Sequence, residues 1–360
     1  MTKFDPSVPS VARIYDYFLG GKDNYASDRE AANRIAEIEP DAASVARQNR
    51  AFLGRAVRYL SEKAGIRQFL DIGTGIPTAG NTHQVAQATA PQSRVVYVDN
   101  DKIVLAHARA LLDSTPEGKC GYIDSDLRDT GAVIKQAAET LDFSKPVAVL
   151  FIAILHFVPD QDDPWGITGR LMSAVPPGSY LAVSHATHEG FTDPASKEQL
   201  DKIYAETASG GVTHRSRTEI ERFFTGLEMT VPGVVKIAEW RPKGEALETR
   251  ALFYGGVARK TADGEHQHQD NARVPTARRR RSPTSTRTRS ASWRLTSQVH
   301  ARSIGQQESQ SGTCRRTRTL VTCSGRVAGA ASACGPGRLS GPRRAAPLRL
   351  ASCAPVLAGR

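Results

Sequence analysis

The stretch Gln68-Phe-Leu-Asp71-Ile-Gly73-Thr74-Gly75-Ile-Pro77 constrains the fold more than any other. A short apolar run ends in an acid and then breaks into glycines. That pattern predicts a buried strand feeding a tight turn. Gly73 and Gly75 carry no Cβ, so the backbone can bend sharply and a ligand can approach it closely. Residues 81–90 follow with a helical pattern, Asn81 standing as its N-cap. Strand, glycine turn and helix make half of a nucleotide-binding βαβ unit.

The kind of nucleotide follows from spacing. A pyrophosphate cradle needs Gly-x-Gly-x-x-Gly. Here Gly75 is followed by Ile-Pro-Thr-Ala before Gly80. The second strand, Arg94 to Asp99, ends in an acid, with Asn100 and Asp101 behind it. A carboxylate at that tip suits two ribose hydroxyls, accepting both hydrogen bonds without bulk. A glycine turn without the phosphate fingerprint, beside a ribose acid, fits a nucleoside ligand without phosphate, of which S-adenosylmethionine is the common one. The missing third glycine argues against a nicotinamide dehydrogenase.

Asp71-Ile-Gly-Thr-Gly75 and Val98-Asp99 resemble the first two motifs of class I S-adenosylmethionine-dependent methyltransferases. Three further blocks narrow the resemblance: Ser10-Val-Ala-Arg13-Ile-Tyr-Asp-Tyr17-Phe-Leu-Gly-Gly21-Lys-Asp-Asn24, Val96 to Asp101, and Leu155-His-Phe-Val-Pro-Asp160. Together they resemble an actinobacterial S-adenosyl methyltransferase family long catalogued as a domain of unknown function, from about Pro6 to Ala258. The resemblance implies S-adenosyl-L-methionine as cofactor and leaves the methyl acceptor open. It also implies roles: Asp71 ordering the turn or reaching the methionine amino group through water, Gly73, Thr74 and Gly75 along the methionine and ribose, Asp99 at the ribose hydroxyls, and Asn100 among the cofactor-binding residues. Asp126 would accept from the adenine amino group and Leu127 would pack on its ring. Arg13, Tyr17 and Asn24 belong to the polar block peculiar to this family, and are expected to close over the sulfonium and the carboxylate.

Strand and helix patterns alternate along the chain. Strands are expected at 68–71, 95–99, 121–123, 146–155 and 179–184, with a last antiparallel pair at 231–238 and 252–258. Alternation of this kind predicts an α/β, doubly wound, Rossmann-like sheet of seven strands, the last antiparallel. Residues 1–66 precede the first strand and read as three helices, at 10–19, 26–38 and from 42 onward. They are expected as an N-terminal helical cap (1–66) on the methyltransferase domain (67–260). In the third, Val45, Phe52, Leu53, Ala56, Val57 and Leu60 keep helical spacing.

Methyl transfer from a sulfonium needs no acid. It needs a positioned acceptor and, for an O–H or N–H⁺ acceptor, a base. His156, after the fourth strand, and His185, after the fifth, are the candidate catalytic bases, with His188 a third; histidine titrates near neutrality. A structural role for His156 is the competing reading. His83, in the first turn of a helix, reads as solvated. The Asn/Asp-Pro-Pro-Tyr type motif of amino-methylating enzymes is absent after the fourth strand, where Ile154-Leu-His-Phe stands. That leans toward an O- or C-acceptor. The alternative function is a non-catalytic S-adenosylmethionine-binding regulatory module.

Charge separates the last hundred residues from the rest. Residues 261–360 hold 18 Arg, no Lys and 4 acids, so the net charge of +11 comes from them and the first 260 residues are slightly acidic. That balance, with no basic aromatic-laced face, speaks against a nucleic-acid substrate and for a small-molecule acceptor. The tail lacks apolar periodicity and reads as disordered; it could bind nucleic acid non-specifically. Its Arg-only composition also looks like a shifted reading frame in a high-GC gene. No apolar run is long enough to span a membrane, and the start lacks a signal-peptide h-region. Only Cys120 lies in the first 260 residues, which suits a reducing cytoplasm. No cysteine spacing suggests a metal site.

Overall fold

A computed structural model describes residues 5–111, 113–244 and 250–262; the Arg-rich tail lies outside the described residues. Five parallel strands form most of the sheet: β1 (Gln68–Ile72), β2 (Arg94–Asp99), β3 (Lys119–Asp124), β4 (Ala148–Ile152) and β5 (Tyr180–Ala186). β6 (Glu228–Met229) and β7 (Val235–Lys236) are short and pair antiparallel with β8 (Phe253–Arg259). β8 runs antiparallel to β5, and the order is β3-β2-β1-β4-β5-β8-β6. From β1 the chain winds outward to β2 and β3, then crosses back to β4 on the other side. A crevice opens at the carboxyl ends of β1 and β4, where ligands of open α/β sheets bind.

The described sheet has eight strands where seven were expected. The predicted run 231–238 is broken because Pro232 has no N–H to donate and Gly233 turns left-handed at φ +89. Of the predicted run only the two-residue β7 remains, and β6 lies just before it. β4 is also shorter than its apolar pattern, which ran to Leu155. Ala153 sits at φ +57, an uncommon conformation for a residue with a Cβ. It redirects the chain, and Leu155–Phe157 form a 3₁₀ turn.

Helices cover both faces. One carries α6 (Thr130–Ala137), α7 (Pro164–Ser173) and α9 (Arg217–Glu221), whose Val133, Ile167, Leu171 and Ile220 pack with Leu70, Val96, Val149 and Phe151. The other carries α3 (Ala42–Glu62) and α4 (Thr82–Thr89). The predicted α3 stripe lands on this face: Phe52, Leu53, Ala56, Val57 and Leu60 pack with Phe69, Val95 and Leu150. Burying such side chains contributes about 1.5–3 kcal/mol each. α5 (Lys102–Leu111) links β2 to β3. α1 (Val11–Phe18) and α2 (Ala26–Ile38) join α8 (Pro194–Ala205) in a third, smaller core of Ile14, Ala31, Ala32, Ile35, Leu200 and Ile203. Among the described residues no helix is long and apolar enough to cross a membrane.

Candidate active site

A cavity of about 750 Å³ lies at the carboxyl ends of β1, β2 and β4, lined also by α1, α3 and the chain around α8. Gly73 donates its N–H to Val98 O at 2.8 Å, and Gly75 donates its own to the Asp99 carboxylate at 3.0 Å. The glycine turn and the acid of β2 are thus in direct contact. Both glycines are left-handed, at φ +70 and +64. A Cβ on Gly73 would run into Ile154, whereas one on Gly75 would meet open space. Between them the Thr74 hydroxyl is buried without a hydrogen-bond partner among the described residues.

The acids line up along the same side. Asp71 is buried and accepts from the Thr82 hydroxyl at 2.6 Å. Burial pushes its carboxyl up to about 6, opposed by the nearby Arg50 guanidinium. Asp99 also accepts from the Asp101 N–H at 2.9 Å, and burial again raises its carboxyl to about 6. Asp126 accepts from Arg128 N and Nη1, at 2.9 and 2.8 Å, and from the Asn100 amide at 3.4 Å. Leu127 is packed against the core beneath. Asp71, Gly73, Thr74, Gly75, Asp99, Asn100, Asp126, Leu127 and Arg13 all line the one cavity.

Tyr17 and Asn24 are not among the residues lining it. The Tyr17 hydroxyl donates to exposed Asn33 at 3.2 Å; the Asn24 amide donates to Asp16 at 2.8 Å, shaping the turn after α1. Helical geometry explains the difference, since residues two apart point roughly 200° apart. It is Tyr15 that faces inward, donating to Ala46 O at 3.0 Å and accepting from the Asn49 amide at 3.0 Å. Arg13 works as a clasp. Its guanidinium pairs with buried Asp28 at 2.7 Å and lies 3.7 Å from Asp101, tying α1 to α2 and to the end of β2.

The two candidate bases part company. His156, on the 3₁₀ turn, lines the cavity and accepts the Ala186 N–H at Nδ1, at 3.4 Å. Burial, with His185 and Arg215 nearby, holds it well below the usual imidazole range. His185 does not reach the cavity. Its Nδ1 lies 2.7 Å from Ala186 O, and its Nε2 faces Arg215 Nη1 at 2.8 Å, so both nitrogens are engaged. Burial pushes it down to about 3. His188 is exposed outside the cavity. His83 is buried rather than solvated, because Tyr97 takes its backbone N–H at 2.9 Å and meets its ring at 2.8 Å. Asn81 opens α4 as expected, its N–H held by Gln84 at 2.9 Å.

Four residues not singled out in the sequence complete the cavity and its frame. Arg50 lines it beside Asp71, donating to Asn81 Oδ1 at 2.5 Å. Its signal was a basic residue interrupting the apolar face of α3. His214 and Tyr204 line the far end. Arg215 is buried and bonds Leu155 O, Val158 O and Asp160, at 3.0, 2.8 and 2.6 Å. It thereby fixes the loop that carries His156. No local pattern marks these last three, since each acts through parts of the chain distant in sequence.

A crystal structure of a DUF574 family protein from Streptomyces avermitilis MA-4680 is 44% identical, covering 72% of this chain and 100% of that one, with a TM-score of 0.68. A candidate methyltransferase from Thermobifida fusca YX is 38% identical, covering 71% of this chain and 96% of that one, with a TM-score of 0.66. A comparison with curated proteins finds no match. The model of the S-adenosyl methyltransferase family matches residues 1–261. A glycine turn held against the acid of the second strand, on a methyltransferase sheet, agrees with that match: the chain belongs to the S-adenosyl methyltransferase family.

Proposed function

We propose that the protein transfers the methyl group of S-adenosylmethionine to a small molecule held in the same cavity. The observation that carries this reading is continuity. One cavity runs from the glycine turn and its acids to an apolar end bearing His156, so donor and acceptor share one continuous space. A regulatory binding module needs only the first part.

The residues present fit the donor. Asp99 spends one lone pair per oxygen on backbone N–H groups and keeps the others for ribose hydroxyls. Asp126, Asn100 and Leu127 take the adenine end. Asp71 and Arg50 lie side by side, a carboxylate for the amino group and a guanidinium for the carboxylate. The unpartnered Thr74 hydroxyl and the open space at Gly75 leave a polar contact and room for the ligand between them. The donor supplies a methyl on a cationic sulfur that leaves as a neutral thioether, so no acid is required. The protein's part is to align the acceptor, exclude water and take up a proton.

Calorimetry with S-adenosylmethionine, S-adenosylhomocysteine and NAD tests the ligand: the first two bind and NAD does not. Turnover is tested with cell extract and mass spectrometry, a product heavier by one CH₂ being the expected result. Binding without any such product would favour the regulatory module.

A further inference from the structure

At the far end of the cavity a buried histidine stands beside a carboxylate. His214 lines the cavity, and its side chain is only 6% exposed. Its Nδ1 lies 3.3 Å from a carboxylate oxygen of Asp201, which sits behind it on α8. The other oxygen of Asp201 is held by Lys197 at 2.5 Å. The contact is electrostatic, since neither His214 Nδ1 nor this oxygen of Asp201 has a hydrogen-bond partner among the described residues. The negative charge beside Nδ1 favours the proton on that nitrogen and leaves the lone pair on Nε2. Nε2 has no hydrogen-bond partner among the described residues. The Thr213 N–H bonds His156 O at 2.7 Å, which anchors this loop beside the 3₁₀ turn.

The surroundings define what fits there. Phe18, Ile35, Phe157, Phe191, Leu200 and Phe253 line this end of the cavity. Several carry rings: Phe191 meets His214 edge-on at 5.8 Å, Phe253 meets His156 at 5.5 Å, and Phe157 meets Tyr204 at 6.0 Å. The Tyr204 hydroxyl has no hydrogen-bond partner among the described residues, and burial pushes its pKa up to about 12, so it stays a donor. A wall of rings with two or three polar points suits a flat apolar molecule carrying one hydroxyl.

Resting on the methyltransferase reading above, we propose that His214, oriented by Asp201, is the general base of this enzyme and that the acceptor is a hydroxylated aromatic molecule. Nε2 of His214 takes the hydroxyl proton. The freed lone pair of that oxygen forms the new bond to the methyl carbon, while the carbon–sulfur bond breaks and its electron pair stays on the thioether. The imidazolium then returns the proton to solvent. Burial pushes His214 down to about 4, opposed by Asp201, so the imidazole is neutral at working pH. The titratable groups around it are Asp201 and Lys197 on α8, His188 after β5 and His156 after β4. A weak base suffices, because the O–H grows strongly acidic as its oxygen bonds to carbon. Asp201 acts as a positioning residue.

The test uses the full chain with S-adenosylmethionine and a panel of apolar phenols headed by 2-naphthol. The expected result is methyl ether formation, with naphthalene-type analogues lacking the hydroxyl inert. His214→Gln should lower kcat about 10²–10⁴-fold, while calorimetric Kd values for S-adenosylhomocysteine and 2-naphthol move less than about threefold. Nitrogen NMR should find His214 protonated at Nδ1 in the wild type and lose that tautomer preference in Asp201→Asn. Should S-adenosylhomocysteine bind but no phenol be methylated, or His214→Gln keep its kcat, or the proton sit on Nε2, this proposal falls while the methyltransferase reading stands. Failure of the wild type to bind S-adenosylhomocysteine removes both.

Discussion

At the scale of single residues, Asp99 joins the turn to the ligand slot. It accepts two backbone N–H groups and has lone pairs left over. Asp99→Ala should weaken S-adenosylhomocysteine binding about 10–100-fold, the loss of charge-assisted hydrogen bonds of about 1.5–3 kcal/mol; calorimetry measures it, and an unchanged Kd would move the ribose elsewhere. Acidity gives a second expectation. Asp71 and Asp99 are both raised to about 6 by burial. The folded protein holds their protons more tightly than the unfolded chain, so their stabilising effect is full below about 4 and is lost as pH rises through about 6. Without ligand, this pair should make the protein less stable at pH 7 than at pH 5, an effect absent in the Asp71→Asn, Asp99→Asn double variant. A cationic ligand has the opposite preference, so binding should weaken as pH falls through about 6. Both acids were legible because each closes an apolar strand. Tyr17 and Asn24 show the limit: a two-residue rotation along α1 turns Tyr15 rather than Tyr17 to the cavity, beside Asn49, and Asn24 is held in the turn after α1.

Among the elements, the loop after β4 shows how the site is held. Ala153 bends it, Ile154 fills the space under Gly73, and Arg215 gathers two carbonyls and Asp160. Removing that guanidinium leaves the Val158 carbonyl unpaired, at about 1–3 kcal/mol, while the Leu155 carbonyl keeps the Val158 N–H at 3.1 Å. Arg215→Met should therefore lower stability by about 1–3 kcal/mol in urea titration. The released loop, to which Thr213 is bonded through His156 O at 2.7 Å, should also lower kcat by displacing His214, more than it alters donor affinity. A loss below about 1 kcal/mol would show that water replaces the guanidinium. Sequence periodicity found the strands and most helices here, because burial of alternating or 3.6-spaced side chains is a local pattern. The early end of β4 escaped it: the apolar run continues to Leu155, but Ala153 leaves the strand to satisfy packing against a turn eighty residues earlier.

For the whole molecule, the question is which part of the chain carries the function. The family match stops at residue 261, where the composition turns to Arg without Lys. We expect a chain ended after Thr261 to keep its S-adenosylhomocysteine Kd within about threefold, and to lose only weak, salt-sensitive binding to nucleic acid. A tenfold loss of donor affinity would give the tail a part in the site. Sequence by itself determined the α/β sheet, the glycine turn and the acids that line the cavity, because each is written in neighbouring residues with a fixed period or spacing. Only the tertiary structure decided which histidine faces the cavity. It buried His185 against Arg215, lined the cavity with His156, and brought His214 beside Asp201. Those outcomes depend on loops from three strand ends and α8 meeting in space, and no local pattern encodes such a meeting.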